Sequence, residues 1–142
     1  MFDEAYEKAY LPFINILERH PEVKMVLHYS GSLLDYLFEN RPEFIEKVKM
    51  LAGRGQVEVM TGGYYEPILP LIPAQDSIGQ INLLTNVVRR SFNYSPKGAW
   101  LAERVWEPHL PKVLSSANVE YTVLDDSHFR SVGIEPEKKM GY

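Results

Sequence analysis

The feature that most constrains this chain is an alternation repeated four times. A short apolar run leads into a loop dense in His, Tyr, Glu, Trp or Asp, and an amphipathic segment follows. The runs are 23–28, 56–60, 98–101 and 120–124. Each has strand length and lacks the extent of a helix. Strands separated by helices pair in parallel through right-handed crossovers. The loops at the C-terminal ends of such strands gather on one face. The expected fold class is therefore α/β, built of parallel β/α units. Its topology should bring His28, Glu66, Glu103 and the Asp125-Asp126 pair to one place although they lie far apart in the chain.

The intervening segments carry helical signals. Over 3–20, Ala5, Tyr6, Ala9, Tyr10, Phe13, Ile14, Ile16 and Leu17 follow the three-to-four spacing of one apolar face, and His20-Pro21 ends it. Pro12 predicts a kink or a break there. Further helices are expected over 32–39, over 42–51 with Pro42 in its first turn, over 76–92 with Asp76 as N-cap, and over 108–117. Gly53-Arg54-Gly55 reads as a plain turn.

Composition narrows the function classes. A chain of 142 residues, 45% apolar, buries one ordinary core, so a single domain over 1–142 is expected. Net charge is −4 and no basic run exceeds a pair, which argues against nucleic acid as a partner. No cysteine is present, so disulfides and thiolate metal sites are excluded. The acidic, amphipathic first residues do not read as a signal peptide. No apolar run approaches the roughly 18 residues of a membrane span. A cytoplasmic location is the expectation.

The densest chemistry lies at Trp100-Leu101-Ala102-Glu103-Arg104-Val105-Trp106-Glu107-Pro108. Aromatic rings cover the apolar faces of a pyranose, and carboxylates do the acid, base or nucleophile work of glycosidic chemistry. A second dense stretch is Gly62-Gly63-Tyr64-Tyr65-Glu66-Pro67-Ile68-Leu69. In both, a plainer reading stands beside the functional one. Glu103 can be a surface glutamate beside a core tryptophan, and Glu66 a loop carboxylate capping an amide. His28 can be a hydrogen-bonded structural histidine. Of Tyr64 and Tyr65, one should face the core and one a sugar, because extended neighbours point opposite ways. Arg104 and Glu107 read as a local ion pair or as support for the site. Asp125, Asp126 and His128 form only a weak metal signal, so no metal and no cofactor is expected.

With these residues in view, the chain resembles glycoside hydrolase family 57, which holds 4-α-glucanotransferases, α-amylases, amylopullulanases and branching enzymes. The two long motifs carry the resemblance. Leu27-His28-Tyr29-Ser30-Gly31 and Leu124-Asp125-Asp126-Ser127-His128-Phe129 support it. It implies a four-stranded fragment of an incomplete seven-stranded β/α barrel and a retaining mechanism on α-glucans. Glu103 then matches the nucleophile, Trp100 borders the sugar, and Glu66 is a substrate-binding carboxylate. His28, Tyr65 and Asp126 are further candidate contacts to an α-glucan or maltooligosaccharide. Arg104 would favour the ionised form of Glu103 as a neighbouring cation.

Two family features are missing from these 142 residues: a strand with a His-Gln-Pro motif, and the later motif whose aspartate is the general acid. Asp125-Asp126 matches an earlier aspartate pair of the family, not the acid. The expectation is a fragment with a nucleophile and without its acid, inactive alone. Rival readings are a non-catalytic α-glucan-binding module and a structural half that associates through open sheet edges. A metal-dependent deacetylase on a related barrel is the least favoured.

Overall fold

The computed structural model describes residues 2–135. Helix α1 (Phe2–Ala5) continues through a π turn (Tyr6–Tyr10) into α2 (Leu11–Arg19). The break expected at Pro12 is thus a widened turn ahead of it. Pro12 has no N–H for the carbonyl one turn back, and the Leu11 N–H reaches the Tyr6 carbonyl five residues earlier. The helix absorbs the proline without ending.

Strand β1 (Met25–His28) is followed by α3 (Gly31–Asn40) and α4 (Pro42–Gly53). Strand β2 (Val57–Gly62) leads through a 3₁₀ turn at Leu69–Leu71 to α5 (Ala74–Phe92). After β3 (Gly98–Trp100), a second 3₁₀ turn (Ala102–Arg104) precedes α6 (Leu110–Ser116). Strand β4 (Tyr121–Thr122) and α7 (Asp126–Arg130) complete the order. Three local expectations are corrected. Asp76 is not the N-cap of α5: Pro73 holds that position, and Asp76 lies in the first turn, where its charge complements the helix dipole. The fourth strand has two residues, not five, and the segment after it is helical from Asp126.

All four strands are parallel and hydrogen-bonded in chain order, β1-β2-β3-β4. Each β/α unit adds its strand beside the last, the order of a β/α barrel wall. The two faces of the sheet differ sharply. One carries Val57, Val59, Ala99 and Leu101, all buried, and the helices cover it. Ile14, Leu34, Phe44, Val48 and Val88 pack there around β1 and β2, while Ile81, Leu110 and Val113 pack around β3. The opposite face carries Val26, His28, Met60, Trp100, Tyr121 and Val123 around a shallow hollow. Val26 there is 50% exposed and Val123 44%.

Buried polar groups are matched rather than avoided. Gln56 Nε2 donates to the carbonyls of Leu17, His20 and Val23 at 2.8–2.9 Å, locking the end of α2 against the entry to β2. Thr85 Oγ1 donates to Thr61 Oγ1 at 2.8 Å, and Thr61 donates onward to the Ile81 carbonyl. Such pairing removes the cost of a buried unmet donor. On the open face the Tyr121 hydroxyl donates to Glu58, so its ring crosses β3 to reach β2. Gly98 permits that crossing, because a Cβ there would lie 2.3 Å from the Tyr121 ring. No helix among the described residues is long and apolar enough to cross a membrane.

Two glycines thus sit under tyrosine rings, with different freedom to respond. A Cβ on Gly31 would meet the Tyr64 ring at 2.3 Å, and Tyr64 is buried. Tyr121, over Gly98, is 40% exposed and can turn into solvent. Gly31→Ala is expected to cost about 1–3 kcal/mol, and Gly98→Ala distinctly less. Denaturant midpoints of the two variants check the order; equal losses would contradict it.

Candidate active site

The site is assembled where the strands end. At the end of β1, His28 leans over the backbone of β2. Gly62 makes room: a Cβ there would meet the Trp100 carbonyl oxygen at 2.9 Å and His28 Cε1 at 3.0 Å. His28 and Trp100 ring centroids are 6.3 Å apart. His28 Nε2 lies 2.7 Å from Glu66 Oε1. With its hydrogen on Nε2 the ring donates to the carboxylate, which leaves Nδ1, buried and without a hydrogen-bond partner among the described residues, as an acceptor.

The loop after β2 is pinned by Tyr64. Its carbonyl accepts from the Gly31 N–H at 2.8 Å, and its hydroxyl donates to Asp35 Oδ1 at 2.5 Å. Tyr65 next to it is 67% exposed, and its N–H donates to Gln80 Oε1 at 3.0 Å. One tyrosine is buried and the other exposed, but not through the expected strand alternation: the Glu66 N–H bonds to the Gly63 carbonyl, so both sit in a turn, with their ring centroids 4.9 Å apart. Glu66 then adopts a left-handed backbone, φ 54°, with its N–H bonded to the Gly63 carbonyl.

The turn after β3 is the most constrained piece of backbone here. Glu103 and Arg104 both have positive φ, 53° and 51°. Non-glycine residues in this region cost about 1–3 kcal/mol each and cluster at functional sites. Glu103 is exposed, while Trp100 and Arg104 are half-buried. The local ion pair considered for Arg104 and Glu107 does not form among the described residues. The Arg104 guanidinium lies 5.8 Å from the Trp100 ring centroid, and Nε donates to Asp125 Oδ1 at 2.8 Å. The Glu107 backbone carbonyl accepts from the Leu110 N–H at the start of α6.

His28, Glu66 and Trp100 are therefore brought together, and Asp125 is linked to them through Arg104. Asp126 turns to Arg130 of its own helix, 2.8 Å away. Among the described residues no three His, Asp or Glu side chains gather as metal ligands. Sequence reasoning missed the Arg104–Asp125 pair and the Asp35 anchor of Tyr64. Neither has a local spacing signal, because each joins different β/α units. Gly62 was visible inside a long motif, but the close approach it permits was not.

These features define a parallel β/α protein whose carboxylates and aromatic rings collect beyond the strand ends. The family model for glycosyl hydrolase family 57 matches residues 1–140. This chain belongs to that family. It is 49% identical over 142 residues to alpha-amylase 1 of Dictyoglomus thermophilum, covering 100% of this chain and 21% of the relative. It is 45% identical over 138 residues to the 4-alpha-glucanotransferase of Thermococcus litoralis, covering 97% and 21%. The crystal structure of a 4-alpha-glucanotransferase from Thermococcus litoralis superposes with a TM-score of 0.93, over 96% of this chain and 22% of that one. The chain thus spans about a fifth of the length of these relatives. A polysaccharide deacetylase structure from Mycobacterium smegmatis, at 17% identity and a TM-score of 0.64, shares the fold alone.

The Tyr64 anchor has a consequence for pH. Burial first, then the hydrogen bond to Asp35, pushes its hydroxyl up to about 12. Burial and Glu43 do the same for Tyr6. A pKa raised from about 10 on folding stabilises the chain fully below 10, and that contribution is lost as pH rises through 12. Unfolding free energy should therefore fall between about pH 10 and 12, and Tyr64→Phe should flatten part of that fall. Denaturant titrations at stepped pH test this; an identical slope in Tyr64→Phe would remove Tyr64 as a source.

Proposed function

We propose that residues 1–142 supply the nucleophile side of a retaining α-glucan-active catalytic domain, of the 4-α-glucanotransferase or α-amylase type. The observation that carries the reading is the meeting of the His28–Glu66 pair with Trp100 across the ends of three adjacent strands, with Glu103 three residues beyond that ring. Relatives named α-amylase and 4-α-glucanotransferase support the substrate class. Glu103 attacks the anomeric carbon, and the bond to the leaving sugar oxygen breaks as that oxygen takes a proton from a general acid. A hydroxyl of a second glucan, or water, then displaces Glu103 and restores the carboxylate. Trp100 and Tyr65 offer ring faces to the sugar, and Glu66 and His28 offer polar contacts. The cysteine-free sequence favours a cytoplasmic setting.

The geometry requires a second carboxyl group about 5–5.5 Å from the first. In the family this is an aspartate on a later motif that residues 1–142 do not contain. A polypeptide of these residues alone should therefore show little or no glucan transfer, since loss of general acid catalysis costs about 10²–10⁴-fold. In the protein as its gene encodes it, Glu103→Gln should abolish transfer between maltooligosaccharides while leaving their binding nearly intact. Trp100→Ala should weaken binding. Product analysis on maltooligosaccharides with calorimetric titration reads both, and an active Glu103→Gln variant rejects the assignment.

The uncovered sheet face and the edges of β1 and β4 favour a second, compatible reading for the 142-residue polypeptide by itself: self-association. Light scattering at increasing concentration should show species above the monomer. A monomer at every concentration would set this reading aside.

A further inference from the structure

We propose that Arg104 and Asp125 form a positioning pair that aims the Glu103 carboxylate, a role that rests on the reading of Glu103 as nucleophile. Glu103 and Arg104 are consecutive left-handed residues, and neither is glycine. Such backbone persists only where its surroundings over-determine it. One tie is the Arg104 N–H, which donates to the Leu101 carbonyl at 2.9 Å. The other is the side chain, held over Trp100 and bonded to Asp125 at 2.8 Å.

Asp125 stands just before α7, beyond β4. The pair therefore joins the loop after β3 to the loop after β4. A planar guanidinium can meet a carboxylate and an aromatic face at once, which a lysine ammonium does less well. The two side chains are 42% and 47% exposed, so the ion pair adds little to stability. What it supplies is direction. Tying down the Arg104 side chain restrains the left-handed backbone it shares with Glu103. The same device recurs one strand away: Glu66, also left-handed, is bonded by His28 from the end of the neighbouring strand.

The test is steady-state maltooligosaccharide transfer by the protein as its gene encodes it, with melting temperatures measured alongside. Asp125→Asn keeps the shape of an exposed side chain and removes its charge. It and Arg104→Ala should each lower kcat by about 10²-fold, the scale of a misplaced reacting group, with KM and melting temperature nearly unchanged. The double variant should lose no more than Arg104→Ala, because the two residues act as a unit. Asp125→Glu should regain most of the rate. An Asp125→Asn enzyme with unaltered kcat, beside an inactive Glu103→Gln enzyme, overturns the pair and leaves the nucleophile assignment standing. A loss in Asp125→Asn that disappears well below its melting temperature makes the role structural and overturns it also. An active Glu103→Gln enzyme overturns both.

Discussion

The parallel hydrogen-bonding of four strands in chain order is the constraint on which the rest depends. Once each strand lies beside the one before it and points the same way, every loop that leaves a C-terminal strand end opens on the same rim. The helices that return the chain cover one face and bury it. Val59, Ala99 and Leu101 lose nearly all solvent contact there, and burial of this apolar surface is the main favourable term. The other face, with Trp100 and His28 at its upper end, stays uncovered.

Close approach on that open face depends on absent side chains. Gly98 lets the Tyr121 ring cross β3, and Gly62 lets His28 reach over β2 toward Trp100. Just above these crossings, three non-glycine residues accept left-handed backbone: Glu66, Glu103 and Arg104. The half-exposed Arg104–Asp125 pair, worth about 0–1 kcal/mol by the usual measure of such pairs, cannot by itself offset two such residues. The buried strand ends beneath, Leu101 above all, supply the rigidity. Stability is thus given up on the rim and recovered in the helix-covered core, a common division at catalytic sites.

Much of the frame was legible in the chain. Apolar runs bounded by glycine and proline located three strands closely, and the helical spacing over 3–20 picked out Tyr6, Ile14 and Leu17, which are buried, along with Phe13 and Ile16, which are exposed. The motifs around Glu66 and Trp100 pointed to the family. The errors fall where local pattern and tertiary context compete. The 120–124 run has strand composition, yet only Tyr121 and Thr122 stand in register with β3, opposite Gly98 and Ala99. Asp76 has the composition of an N-cap, but the proline-rich loop enters the helix two residues earlier.

The sequence by itself determined the alternation of elements, the parallel sense of the sheet and the candidate site residues, since periodicity and motif spacing are properties of neighbours along a chain. Only the tertiary structure decided which of those residues meet. That His28 pairs with Glu66, Arg104 with Asp125 and Asp126 with Arg130 are choices between partners in different β/α units or on one short helix. Charge and hydrogen-bonding capacity allow each residue several partners. The register of the strands and the direction of each turn select one.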